Sequence, residues 1–251
     1  MNKLEFWNER ASLGFKAGTN DEIMKYMEMT AISSYISDGM KVLDFGCGNG
    51  ITMNYLAKKY DISIVGIDFS PNMISEAKKL SQQEGTGSNL RYIVGNEETL
   101  QSMNEKFDII YSERALINLD SWEKQKQTIL HLCSLLKTEG KYVMCESSFD
   151  GLQQINELRK IFNLEQITPP WHNRYFREEE VEDLSKSEKI NLVEINHFSS
   201  TYYFLSRVIN AALASQNNKA PSYDSPLNKL ALSLPPIGEM GQGKIWVWEQ
   251  N

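Results

Sequence analysis

Val42-Leu43-Asp44-Phe45-Gly46-Cys47-Gly48-Asn49-Gly50 is the stretch on which the reading of this chain turns. An apolar run over Lys41–Phe45 meets three glycines at alternate positions, and a helical pattern follows over 51–60. The pattern predicts a strand, a tight turn and a helix. Glycine is needed where backbone bends sharply or passes close to a ligand. The spacing is GxGxG, not the GxGxxG of a dinucleotide site. Asp44 sharpens the difference: a carboxylate there repels a pyrophosphate seated on the turn and attracts an ammonium group. Both features disfavour a nicotinamide-dependent oxidoreductase. Gly46, Cys47, Gly48, Asn49 and Gly50 are therefore expected, with Asp44, around a cofactor that carries an amino acid.

Working outward, residues 62–68 form a β-branched run ending in Asp68, where an acid can accept hydrogen bonds from both ribose hydroxyls of a nucleoside. Ser70 and Pro71 read as the cap and first turn of a helix over Pro71–Glu84, and Ser70 is also expected beside the cofactor. Phe69 and Met73 either pack on an adenine or fill the core. Leu90–Val94 is a third strand; after it, Asn96 can bond an adenine edge beside Glu97. Residues 107–111 and 141–145 read as strands four and five, with a helix over 121–137 between them. Helical patterns follow at 151–163, 177–186 and 202–214, and strands at 190–195 and 244–249. The polar segment 216–228, with its two prolines, reads as an exposed loop. This β-α alternation predicts a parallel sheet with helices on both faces and ligands at the carboxyl ends of the strands.

Taken together, VLDFGCGNG (42–50), VGIDFSPNMISEA (65–77), Gly95-Asn96-Glu97 and FDIIYSERALINL (107–119) resemble class I S-adenosylmethionine-dependent methyltransferases. The resemblance covers residues 40–146. It implies an α/β, Rossmann-like, mostly parallel seven-stranded sheet within a single domain over 1–251. An N-terminal helical lid (1–39), a cofactor-binding core (40–146), a cap insertion (147–188) and C-terminal strands and helix completing the sheet (189–251) are expected. It also implies S-adenosyl-L-methionine as cofactor and S-adenosyl-L-homocysteine as product. The family usually carries Asp where Asn96 stands; an amide can still bond adenine.

Bulk properties narrow the partners. The chain has 251 residues, 41% hydrophobic and 24% charged, with a net charge of −7. These values suit a folded α/β protein. The acidic balance, with no offsetting run of Lys and Arg, disfavours nucleic acid. No stretch approaches the ~18 apolar residues of a membrane span, and the N-terminus lacks a signal-peptide pattern. Cys47, Cys133 and Cys145 show neither CxxC spacing nor a nearby His pair, so no metal site is expected and a cytoplasmic location fits. Cys47 reads as a small filler.

Three polar segments suggest where a small-molecule substrate sits. Ala17-Gly18-Thr19-Asn20-Asp21 reads as a helix cap or as a lid, with Thr19 over the methionine end of the cofactor. Glu113 and Arg114, after strand four, form an ion pair or meet substrate. Trp171, His172, Asn173, Arg174 and Tyr175 gather aromatic, amide and guanidinium groups suited to a sugar or phosphate. Tyr202 and Tyr203 are further candidates. His172 is the first candidate for a general base because its unperturbed pKa lies near ~6.5; Glu113 is the second. His131 and His197 read as structural. The segments AGTND (17–21), ERALINL (113–119), PWHNRYF (170–176) and STYYFLSR (200–207), with the ending at 234–248, are similar to a bacterial small-molecule subgroup associated with surface polysaccharides. That similarity implies O-methylation of a sugar, a nucleotide-activated sugar or a phosphate or phosphoramidate precursor. N-methylation of a small amine and a non-catalytic cofactor-binding subunit are the alternatives. The Asn-Pro-Pro-Tyr motif of amide and adenine N-methylation is absent, which disfavours the amine.

Overall fold

Strands β1 (Lys41–Phe45), β2 (Ser63–Asp68), β3 (Leu90–Val94), β4 (Phe107–Glu113), β5 (Leu136–Ser147), β6 (Ile190–Asn196) and β7 (Gly243–Gln250) pair in the order β3-β2-β1-β4-β5-β7-β6. These come from a computed structural model that describes residues 2–187 and 189–250. The first five strands run parallel, and β7 lies antiparallel between β5 and β6. β1 has β2 on one side and β4 on the other. The strand order reverses there, and open α/β sheets bind ligands at such a point.

Neighbouring residues of a strand face opposite sides. Leu43, Val65 and Ile110 accordingly belong to one buried apolar cluster, whereas Val42, Ile64 and Ile109 belong to another. Both faces of the central strands are therefore covered, which is why β1 reads as a continuous apolar run. The covering helices include α2 (Glu22–Ser33), α3 (Ile51–Lys59), α4 (Pro71–Glu84), α5 (Glu97–Gln101) and α6 (Trp122–Ser134), whereas α1 (Lys3–Arg10), ahead of them in the chain, has no buried residue. Ser70 caps α4 by accepting from the Met73 amide at 3.1 Å, with Pro71 in its first turn. The remaining helices are α7 (Phe149–Ile161), α8 (Glu178–Ser187), whose Val181 and Leu184 pack with Trp246 and Trp248 of the sheet, α9 (Ser200–Tyr203), α10 (Asn210–Gln216) and α11 (Pro226–Ala231). A π-helical turn, Phe204–Ile209, joins α9 to α10. Among the described residues, no helix is long and apolar enough to cross a membrane.

Two details differ from the sequence-based expectation. The Thr-Glu-Gly turn before strand five is a bulge inside β5, which pairs with β4 from Leu136 onward. There Glu139 adopts φ 63°, and a Cβ on Gly140 would press on three backbone carbonyls. The loop expected at 216–228 instead ends in α11, whose cap is Ser225.

Candidate active site

The carboxyl ends of β1, β2 and β4 open into a cavity of about 670 Å³, within the range of small-molecule and cofactor sites. Its floor starts with the glycine turn. The Gly46 and Cys47 amides donate to the Ile67 carbonyl at 2.8 and 3.0 Å. Gly46 sits at φ 81°, and a Cβ there would collide with that of Ala115, so this position requires glycine.

Two carboxylates flank the turn. Asp68 accepts from the Gly48 amide at 2.9 Å through Oδ2 and from the Ser70 amide at 2.8 Å through Oδ1. Burial pushes its pKa up to about 6, against the pull of those two donors. Each oxygen keeps a lone pair for a further donor. Asp44 accepts from the Tyr111 hydroxyl at 2.7 Å through Oδ2, while its buried Oδ1 has no partner. Burial raises its carboxyl well above the usual range. An orphaned carboxylate oxygen is relieved by a cationic or N–H group. A ribose with two hydroxyls and an amino-acid ammonium meet these needs, so the residues present fit S-adenosylmethionine. Thr19, Cys47, Asn49, Phe69, Met73, Asn96 and Glu97 also line the cavity. The Asn96 side-chain oxygen caps α5 at the Glu98 amide.

The N-terminal segment roofs this end. Asn49 donates to the carbonyls of Gly14 and Ala11 at 2.9 and 3.3 Å. Ser70 donates to Asn8 Oδ1 at 2.6 Å. Lys3 donates to the Asn118 carbonyl at 2.5 Å and pairs with Asp120. Met73 packs with Trp7, Ala11 and Ala17.

The other end of the cavity is lined by His172, Asn173, Tyr175 and Tyr203. His172 lies 4.6 Å from Phe6, ring centre to ring centre, and edge-on to Trp7 and Trp171. Burial lowers its pKa, assisted by the charges of Lys3 and Arg10, so the imidazole is neutral near pH 7. Its Nδ1 is buried without a partner, as are Oδ1 of Asn173 and Oδ1 of Asn118. The two loops run side by side, joined by the Arg174 amide donating to the Ile117 carbonyl at 2.7 Å.

Several residues expected in the site are placed elsewhere or occupied. Gly50 caps α3 in the left-handed region and packs toward Ala77 and Tyr92, away from the cavity lining. Ser70 spends its hydroxyl on the α4 cap and on Asn8. Arg174 is tied to Glu180 and Gln125 and is not part of the lining. Trp171, 63% exposed, stands on the outer side of His172 and Phe6. Tyr202 is fully buried and donates to Asp21 at 2.6 Å. Glu113 lines the cavity but is unsuited to act as a base. Lys25 and Thr52 donate to its two oxygens at 2.6 and 2.5 Å. Burial alone would raise its pKa, but Lys25 and Arg114 hold it below the usual value. Arg114 also lines the cavity and is only partly committed: Nη1 donates to the Gly18 carbonyl at 3.0 Å, while Nε lies 3.1 Å from Glu28 without making a hydrogen bond.

Sequence reasoning overlooked Glu28, Lys25, Tyr111, Asn118 and Arg207. Lys25 and Glu28 stand one turn apart on α2 among Met24, Met29 and Ile32. Charges inside an apolar helical face are the signal that could have found them. Asp21 caps α2 as its cap reading had it, and it also pairs with Arg207 at 2.6 Å.

A glycine turn between two acids at the switch point of a parallel sheet defines a nucleoside-cofactor site of the methyl-transferring type. The family model described as "Methyltransferase domain" matches residues 36–171. The chain belongs to that family, and S-adenosylmethionine is the cofactor its site is built for. The chain is 38% identical over 84 residues to phosphoethanolamine N-methyltransferase 1 of Arabidopsis thaliana, covering 34% of this chain and 17% of that protein. The matched stretch thus spans less than a fifth of that relative. Among solved structures, the CcbJ methyltransferase of Streptomyces caelestis superposes with a TM-score of 0.61 at 12% identity, covering 90% of this chain and 94% of that one. A methyltransferase of Geobacter sulfurreducens in complex with S-adenosyl-L-homocysteine gives 0.53 at 15% identity, covering 89% and 90%. At these identities the likeness is one of fold.

Proposed function

We propose that the chain methylates the nitrogen of a small amine, using S-adenosyl-L-methionine as donor. The observation that carries this reading is a set of buried, unpartnered polar atoms at the acceptor end: Nδ1 of His172 and Oδ1 of Asn118 and Asn173. Asn118 Nδ2 already donates to the carbonyls of Arg114 and Ala115 at 3.0 and 3.2 Å, so its Oδ1 is the acceptor left over. Each unmade bond costs about 1–3 kcal/mol. An amine brings several N–H donors to such a surface.

When bound, the cofactor supplies a methyl group already activated on a sulfonium sulfur. The protein's share is alignment of the acceptor and removal of its proton. Asn118 and Asn173 would orient the amine. His172, kept neutral by burial, would take the proton that the nitrogen sheds. One support comes from outside the cavity. The relative from Arabidopsis is named for N-methylation of an amine. Against the reading stands the absent Asn-Pro-Pro-Tyr motif, which weighs less for a free amine than for the amide and adenine nitrogens it serves.

O-methylation of a hydroxyl is the second reading, because the same acceptor atoms can hold an O–H. Its phosphate-bearing, polysaccharide-precursor form loses support from Arg174, which is tied to Glu180 outside the lining, and rests on Arg114, whose charge is shared with Glu28. The test is product analysis with isotope-labelled S-adenosylmethionine and a panel of small amines, phosphoethanolamine among them, beside neutral sugars and sugar nucleotides. Label on nitrogen of an amine is the expected result. Label on sugar hydroxyls alone would sink the proposal.

A further inference from the structure

Beneath the cavity lies a group of buried charges in which one oxygen is unused. Glu28 lines the cavity from α2 and is 2% exposed. Its carboxylate lies 3.1 Å from Arg114 Nε through Oε1, while Oε2 is buried with no partner. Arg114 Nε faces Glu28 as an ion pair without a hydrogen bond, and the neighbouring charges have partners of their own. Lys25 and Thr52 take both oxygens of Glu113, and Arg114 also donates to the Gly18 carbonyl. Burial raises the Glu28 carboxyl to about 8; Arg114 and Lys25 pull it down, while Glu113 pushes it up through its charge and a side-chain hydrogen bond. Near pH 7 the group holds its proton, and a cation arriving at Oε2 is what would ionise it.

We propose that Glu28 is a binding residue for an ammonium group, received at Oε2. Charge-assisted bonds of this kind are the strong ones in a dry site. Two ammonium groups can reach the cavity. One is the α-ammonium of the cofactor's methionine, which would then divide its N–H donors between Asp44 Oδ1 and Glu28 Oε2. Ala115, the residue after Arg114, packs against Gly46 of the cofactor turn, which puts Glu28's ion partner beside that turn. The other is the protonated acceptor amine, and that arm rests on the function proposed above.

Glu28→Gln separates them. Glutamine keeps the size and hydrogen bonding of a neutral carboxyl, so a Glu28 that only packs beside Glu113 would tolerate it. Calorimetry on both proteins is run with S-adenosylhomocysteine and with 5′-methylthioadenosine, which lacks the amino-acid part. A loss of at least tenfold for S-adenosylhomocysteine, with 5′-methylthioadenosine unchanged, places the cofactor's ammonium at Glu28. Unchanged S-adenosylhomocysteine affinity with a tenfold rise in KM for the amine places the acceptor's ammonium there. Less than a twofold change in both overturns the proposal. If the wild type methylates no amine, the function reading fails separately, and the two-ligand calorimetry alone decides Glu28. Retained 5′-methylthioadenosine binding certifies the fold of the variant; if E28Q does not fold, Glu28→Asp, which withdraws the charge by one methylene, carries the same comparison.

Discussion

Asp68→Asn sets a structural account of the cofactor site against a functional one. Asp68 holds two backbone amides, so a pure loop anchor would lose stability on substitution. Burial, however, raises its pKa from 3.8 to about 6. A shift of about two units corresponds to about 3 kcal/mol against the ionised form at neutral pH. The stabilisation tied to the protonated group is fully present below the unfolded pKa and is lost as pH rises through about 6. Asparagine removes that charge cost and forfeits one charge-assisted amide bond, worth about 1.5–3 kcal/mol. The two effects nearly cancel, so thermal unfolding of the free protein should shift by no more than about 5 °C. Ligand affinity should not be spared. Losing an ionised acceptor for ribose hydroxyls costs about 1.5–3 kcal/mol, roughly ten- to hundredfold in Kd for S-adenosylhomocysteine. In the wild type that affinity should climb from pH 5 to pH 7 as Asp68 ionises; in the variant the climb should flatten. Calorimetric titration across this range, beside scanning calorimetry, makes the measurement. A fall of ten degrees or more with unchanged affinity would refute the reasoning and leave Asp68 as a loop anchor.

Other substitutions sort the remaining residues. His172→Ala should lower turnover about a hundredfold with S-adenosylhomocysteine affinity intact. Wild-type turnover should fall on the acid side as pH drops through a value below 6.5, where the imidazole takes its proton; an acid limb that persists in the variant would clear His172 of the role. Glu113→Gln leaves Lys25 buried beside a neutral amide and should cost about 3 kcal/mol of stability. The shape of its pH–rate profile should stay unchanged, whereas loss of a limb would mark Glu113 as a base after all. Arg174→Met should cost about 1 kcal/mol by releasing its partly exposed pair with Glu180. Its KM for the acceptor should stay within twofold, and a large rise would return Arg174 to the substrate.

The legible parts of the chain were those set by local rules. β1, the left-handed glycines and the Ser70-Pro71 start of α4 each follow from a few adjacent residues. Strand alternation then placed Asp44 and Asp68 at one edge. What escaped was set by contacts across long sequence separations. Arg174 looked like a free guanidinium in a polar loop, yet Glu180 and Gln125 claim it. Tyr202 and Tyr203 are adjacent in sequence, but only Tyr203 faces the cavity; Tyr202 turns to Asp21. The pairing of Glu28 was hidden for the same reason, since Arg114 arrives from the far end of β4; only its place on an apolar helical face could be read. Acid and base assignments depend on such pairings, so the cofactor half could be read where the acceptor half could not.

The roof over the cofactor end also bears on the acceptor end. Asn49, Ser70 and Lys3 hold residues 2–17 across the cavity through separate bonds, and Phe6 rests on His172. The same segment that covers the cofactor thus also buries the imidazole, with Lys3 and Arg10 adding to the lowering of its pKa. Shortening the N-terminus would therefore disturb cofactor retention and the acid limb of turnover together.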